Sequence, residues 1–172
     1  MSEIQVITGD KSSHERPKSS LVIILDRLRS IHNVGNILRL ADAVNAQKVI
    51  CGGYTACPPH PKLSKSAMGA EEIVDTEHAE NAWEAAKKLK HDGYQIIGIE
   101  TVENATCIWD ADLPEKTCFI FGNEALGLQE ETLKVCDSFI SLPAFGLKNS
   151  INVSNCASVV MFKYAELFSQ TK

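Results

Sequence analysis

Short, continuous apolar runs alternate along the chain with segments whose apolar residues recur every three or four positions. LVIIL at 21–25 has no polar interruption, as expected of a strand buried on both faces. A loop follows, then NVGNILRLADAVNA, in which Ile37, Leu40, Ala41 and Val44 fall at helical spacing and Asn33 stands as a candidate N-cap. KVICGG predicts a second strand. It runs into ACPPHPKLSK, whose prolines exclude regular structure. EEIVDT predicts a short third strand, and HAENAWEAAKKLKHDG a helix with Ala79, Ala82, Trp83 and Ala86 on one side and Gly93 as its stop. YQIIGIET, TCFIFGN and SFISLPA predict strands four to six. LQEETLKVC predicts a short helix before the last of them, and NVSNCASVVMFKYAELF a closing helix with Val153, Cys156, Ala157, Val160 and Tyr164 along one stripe. Strands alternating with helices predict one α/β domain over residues 21–168, a mostly parallel sheet flanked by helices. Residues 1–20 carry charge and two serine pairs with little apolar pattern, and predict an N-terminal extension.

Composition narrows the function. The 172 residues, 44% of them hydrophobic, suffice for one core and are too few for two ordinary domains. The first twenty residues hold no apolar run resembling a signal sequence, and nothing later reaches the ~18 apolar residues of a membrane span, so a cytoplasmic protein without a membrane partner is expected. Six cysteines are scattered without a CxxC or a Cys/His ligand spacing. They read as reduced, mostly buried thiols, and no metal is expected. The net charge of −5 argues against an indiscriminate nucleic-acid binder. Its distribution is uneven: residues 1–39 hold six basic and four acidic side chains, the remaining 133 eleven and eighteen. A surface for RNA would therefore lie towards the N-terminal end.

In parallel α/β proteins ligands gather beyond the carboxyl ends of the strands. Three such loops are unusual: RSIHNVGNILR after the first strand, FGNEALGL after the fifth and LPAFGLKNSINVS after the sixth. All are rich in glycine, asparagine or serine, the composition of tight loops that offer backbone N–H and C=O groups to a ligand. Neither a G-x-G-x-x-G after the first strand nor a G-x-x-x-x-G-K-[ST] is present, which removes dinucleotide and P-loop chemistry.

Asn33 followed six residues later by Arg39, Phe121 through Leu128, and Leu142 through Ser154 resemble, in order, the three motifs of the SpoU (TrmH-like) branch of the SPOUT methyltransferases. Leu142, Ala144 and Ile151 depart mildly from that pattern and keep its apolar character. The resemblance implies a deep C-terminal trefoil knot, an exception to the usual unknotted chain. It implies S-adenosyl-L-methionine as cofactor, held by Glu100, Thr101, Gly122, Leu142 and Ile151. Catalysis would fall to Arg39, Asn33, Glu124, Ser150 and Asn152 on a ribose 2′-hydroxyl of RNA, with tRNA favoured over rRNA and a homodimer as the working unit. Arg39 is the essential residue in this reading, as proton acceptor or as phosphate clamp, and His32 is not required.

Structural alternatives attach to each residue. Asn33, Ser150 and Asn152 can cap helices, Glu124 can favour a helix start, and Arg39 can be a solvated helix residue sharing a face with Asn36. Rival functions are an rRNA 2′-O-methyltransferase, a non-catalytic RNA-binding knotted module, a base methyltransferase and a small-molecule methyltransferase.

Overall fold

A computed structural model describes residues 18–168 of the chain; the expected extension, apart from residues 18–20, lies outside them. Six helices and seven strands follow in the order β1 (Leu21–Asp26), α1 (Ile31–Ala43), β2 (Lys48–Gly52), α2 (Ser64–Ala67), α3 (Ala70–Ile73), β3 (Thr76–Ala79), α4 (Ala82–His91), β4 (Gln95–Ile99), β5 (Thr106–Cys107), β6 (Thr117–Phe121), α5 (Glu130–Val135), β7 (Ser138–Ser141) and α6 (Val153–Phe168). The strands form one sheet in the order β3-β2-β1-β6-β4-β7-β5, and every pairing is parallel.

The apolar run of β1 is explained by its place near the middle of that sheet. Leu21, Ile23 and Leu25 point to one face, where they pack with Val34, Ile37 and Leu38 of α1 and Ala157, Val160, Met161 and Tyr164 of α6. Val22 and Ile24 point to the other, against Ala82, Ala85 and Ala86 of α4 and Val135 of α5. The stripe expected on the closing helix is thus consumed within the chain: Ala157, Val160 and Tyr164 are buried without any second copy. The apolar residues that α6 leaves exposed are Phe162 and Leu167.

The structure corrects several local expectations. Glu71 to Ile73, expected in a strand, lie in the single-turn helix α3, and the strand begins at Thr76. That strand, TEHA, is an edge strand with no buried residue, so it carries no apolar run to announce it. Ala79 belongs to it rather than to α4, whose N-cap position is Asn81. The proline-rich stretch holds a cis Pro58–Pro59 bond, but its end already enters α2. Asn33 is not the cap of α1. Ser30 is, its side chain accepting from the Asn33 N–H at 3.3 Å, which leaves the Asn33 side chain free for another use. The two-residue β5 has no signal in sequence. All six cysteines are free thiols, with Cys51 and Cys118 buried. Among the described residues no helix is long and apolar enough to cross a membrane, and no group of three or more His, Cys, Asp or Glu is placed to hold a metal ion.

Candidate active site

The sheet order reverses where β6 enters between β1 and β4, and the loops leaving β4, β6 and β7 meet at their carboxyl ends. They enclose a cleft of about 550 Å³. Its walls combine apolar Phe121, Ile140, Leu142, Ile151 and Val153 with polar Glu100, Thr101, Glu124, Ser150 and Asn152. A cleft of this size, with apolar walls and convergent polar groups in similar measure, suits a nucleoside-sized ligand. All five residues expected to hold the cofactor, Glu100, Thr101, Gly122, Leu142 and Ile151, line it.

The loop between β6 and α5 is fixed by side chains from outside and within. Asn123, buried, accepts from the N–H groups of Ala125 and Leu126 at 2.9 and 3.0 Å, and its amide donates to the Arg27 carbonyl at 2.7 Å and the Tyr54 hydroxyl at 2.9 Å. Glu100 accepts from Leu128 N–H at 3.1 Å and Thr101 N–H at 2.9 Å, so part of its carboxylate holds the loop itself. Asp26, fully buried at the end of β1, accepts from Gln129 N–H at 3.1 Å and Thr132 Oγ1 at 2.9 Å. Gly122 is required by packing as well: a Cβ there would stand 2.5 Å from the carbonyl carbon of Gly127. Sequence reasoning missed Asn123 and Asp26; the only signal for Asp26 is a carboxylate ending an apolar strand.

Glu124 does not start a helix. It sits in the turn closed by the Asn123 and Gly127 bridge, and α5 begins at Glu130. From there its carboxylate accepts from Arg29 N–H at 2.9 Å, Ser30 N–H at 3.0 Å and Asn33 Nδ2 at 2.9 Å. Burial alone would raise its pKa, but the donors from Arg29, Asn33, its own backbone and Ser30 outweigh this and hold the carboxyl below the usual glutamate range. Asn152 Nδ2 donates to Asn33 Oδ1 at 3.2 Å, while its Oδ1 accepts from the Ser154 N–H at 2.9 Å and hydroxyl at 2.7 Å at the head of α6. Capping and bridging are therefore combined in one residue. Asn33, Glu124 and Asn152, which stand 91 and 119 positions apart from Asn33 in the chain, form one hydrogen-bonded line along the cleft rim. Ser150 lines the cleft and is exposed.

Arg39 is not brought to this place. It lies six residues beyond Asn33 on α1, about 9 Å along the axis and roughly a third of a turn round. Its side chain is exposed, does not line the cleft and has no hydrogen bond or ion pair with another described residue.

Residues 20–162 match the model of the SpoU rRNA Methylase family. The chain is 33% identical over 141 residues to the 23S rRNA (guanosine-2'-O-)-methyltransferase RlmB of Neisseria meningitidis serogroup B, a match covering 82% of this chain and 56% of that protein. It spans between 56% and 61% of the length of the first curated relatives it matches. Among solved structures it superposes on the A. aeolicus TrmH/SpoU tRNA modifying enzyme with a TM-score of 0.82 at 21% identity, over 91% of this chain and 79% of that one. The SpoU methyltransferase AviRb from Streptomyces viridochromogenes, in complex with AdoMet, gives 0.79 at 23% identity, over 96% and 64%. At these identities the two structures speak for the fold.

Proposed function

The chain belongs to the SpoU methylase family, and from that premise we propose that it is a methyltransferase acting on a ribose 2′-hydroxyl of RNA, with S-adenosyl-L-methionine as cofactor. The observation that carries this reading is the line Asn152, Asn33, Glu124, which joins all three family motifs at the rim of one nucleoside-sized cleft. The cofactor, bound in that cleft, supplies a sulfonium-activated methyl group. Leu142, Ile151 and the backbone around Gly122 would hold its adenosine by apolar contact and backbone hydrogen bonds, with Thr101 and the remaining lone pairs of Glu100 at the polar end.

Transfer to a ribose hydroxyl demands in-line alignment, and much of the rate can come from positioning. Asn152 and Ser150 would orient the ribose, and Glu124 would keep Asn33 and the Arg29–Ser30 backbone in place. Arg39, whose planar guanidinium suits a phosphate fork, would clamp the adjoining phosphate; it would take the hydroxyl proton only after passing one of its own protons to that phosphate. Because Arg39 stands away from the cleft of its own chain, it would act on the cleft of a second copy, in a two-fold homodimer whose sites draw on both subunits. Family membership also supports threading of the C-terminal segment as a trefoil knot. Residues 21–168 would form the methyltransferase domain and residues 1–20 an extension to it.

Among RNA classes, tRNA is favoured from the sequence; the likeness to a 23S rRNA enzyme supports rRNA as the second reading. Calorimetry is expected to show binding of S-adenosylmethionine or its demethylated product and no binding of NAD or ATP. Tight NAD binding without an adenosylmethionine signal overturns the reading. Mass spectrometry of nucleosides from cells lacking the gene is expected to show a 2′-O-methyl nucleoside missing from tRNA; its loss from rRNA instead transfers the assignment.

A further inference from the structure

Tyr54, in the turn after β2, is held in an unusual way. A surface tyrosine ordinarily lays its ring on neighbours and leaves its hydroxyl to water. Here the hydroxyl accepts from the buried amide of Asn123 at 2.9 Å, while the residue as a whole is 58% exposed. The backbone on either side is locked. Gly53 adopts φ 62° against the Arg27 side chain, and the Thr55 hydroxyl bridges the Leu25 and Gly52 carbonyls and accepts from Leu28 N–H at 2.9 Å. The ring is thus fixed at its tip and its root.

Its surroundings are those of a nucleic-acid contact. The same Asn123 holds the N–H of Leu126, 73% exposed, so an aromatic and an aliphatic side chain stand out from one buried amide. The next residue, Glu124, holds the backbone of Arg29, whose exposed guanidinium has no partner among the described residues. Both carboxylate oxygens of Glu124 are engaged by donors, which lessens its repulsion of a phosphate. A pre-fixed aromatic face, with an unpartnered arginine whose backbone is held by the same loop, is a pairing able to stack a base and meet its phosphate.

We propose that Tyr54 is a stacking platform for a nucleobase flanking the nucleotide presented to the cleft, with Arg29 on the neighbouring phosphate. This rests on RNA being the substrate, and it adds a specificity position outside the three motifs.

The test compares full-length wild type, Tyr54→Ala, Tyr54→Phe and Tyr54→Trp, with tRNA and rRNA from cells lacking the gene as the probe. Tyr54→Ala is expected to raise KM for RNA roughly tenfold to hundredfold, the effect of losing one stacked base. Its kcat and affinity for S-adenosylmethionine should stay unchanged. Tyr54→Phe and Tyr54→Trp, which keep an aromatic face but lose the hydroxyl acceptor that tethers it, should both recover part of the lost KM. An unchanged KM in Tyr54→Ala overturns the proposal. So does a loss that follows thermal stability and that neither aromatic variant recovers in part, or a change of mass in light scattering, which would make Tyr54 a subunit contact. Filter retention of the same RNA needs no turnover and separates the two readings. Weakened retention in Tyr54→Ala beside a wild type that transfers no methyl sustains the platform and defeats the methyltransferase assignment; equal retention defeats the platform.

Discussion

The two ends of α1 are built on opposite plans. At its first turn Asn33 is buried and bonded on both sides, to Glu124 and to Asn152, and the turn is capped by Ser30. Two turns later Arg39 stands exposed with no partner among the described residues. The first end is completed by the chain's own loops. The second is an exposed charge that the described residues leave unpartnered. A hydrogen-bonded line anchored on a buried asparagine raises stability and fixes geometry at once, whereas an unpartnered surface arginine contributes almost nothing to folding. Stability and activity should therefore separate along a single helix.

The largest expected effect is on activity at the second end. Arg39→Ala should lower methyl transfer at least about a hundredfold, the scale of a lost proton-transfer or charge-stabilising group. Stability should move by no more than about 0.5 kcal/mol, and calorimetric affinity for S-adenosylmethionine should not change. Arg39→Lys should recover little, since an ammonium does not reproduce the planar fork. Mixing Arg39→Ala with Asn152→Ala subunits sharpens the point: a site shared across a dimer regains activity that neither variant has alone, and failure to regain any contradicts sharing.

Next in size is Gly122→Val on the cleft side. The added Cβ meets the Gly127 and Leu128 backbone, so the loop must move at a cost of about 1–3 kcal/mol. Thermal unfolding and calorimetry should show a lowered midpoint together with lost cofactor affinity. A variant with wild-type values in both would place the loop's rigidity, and the cleft it shapes, in doubt.

The smallest expected effect is a slope. The Glu124 carboxyl titrates below its ordinary 4.5 in the folded chain, so its contribution to stability is present above that pH and is lost as pH falls through the lowered folded value. Glu124→Gln should flatten this acid limb and reduce stability at neutral pH by about 1 kcal/mol. Denaturant titrations between pH 3 and 7, spanning the glutamate range, measure both. An acid limb identical in the two proteins would show that the donors around Glu124 are not engaged in solution.

Much of this arrangement was legible in the sequence because the central strands are near-continuous apolar runs and the first two motif loops follow them. The edge strand β3 was not, since none of its residues is fully buried and only Ala79 packs against the core. The line Glu124–Asn33–Asn152 joins Asn33 to residues 91 and 119 positions away, and only the motif resemblance hinted at it. Asn33 misled as a cap because Ser30, three residues earlier, caps by the same chemistry. The separation of Arg39 from the cleft was hidden for a different reason. Periodicity tells which residues share a helix face, but not which loops that face will meet.

The most direct test of the account is single-turnover transfer of labelled methyl from S-adenosylmethionine to bulk tRNA and rRNA by wild type and Arg39→Ala, followed by nuclease digestion to locate the label. The account expects label on ribose with wild type and nearly none with Arg39→Ala at unchanged cofactor affinity. Label on a base would contradict ribose chemistry, and wild-type rates from Arg39→Ala would contradict the division of labour along α1.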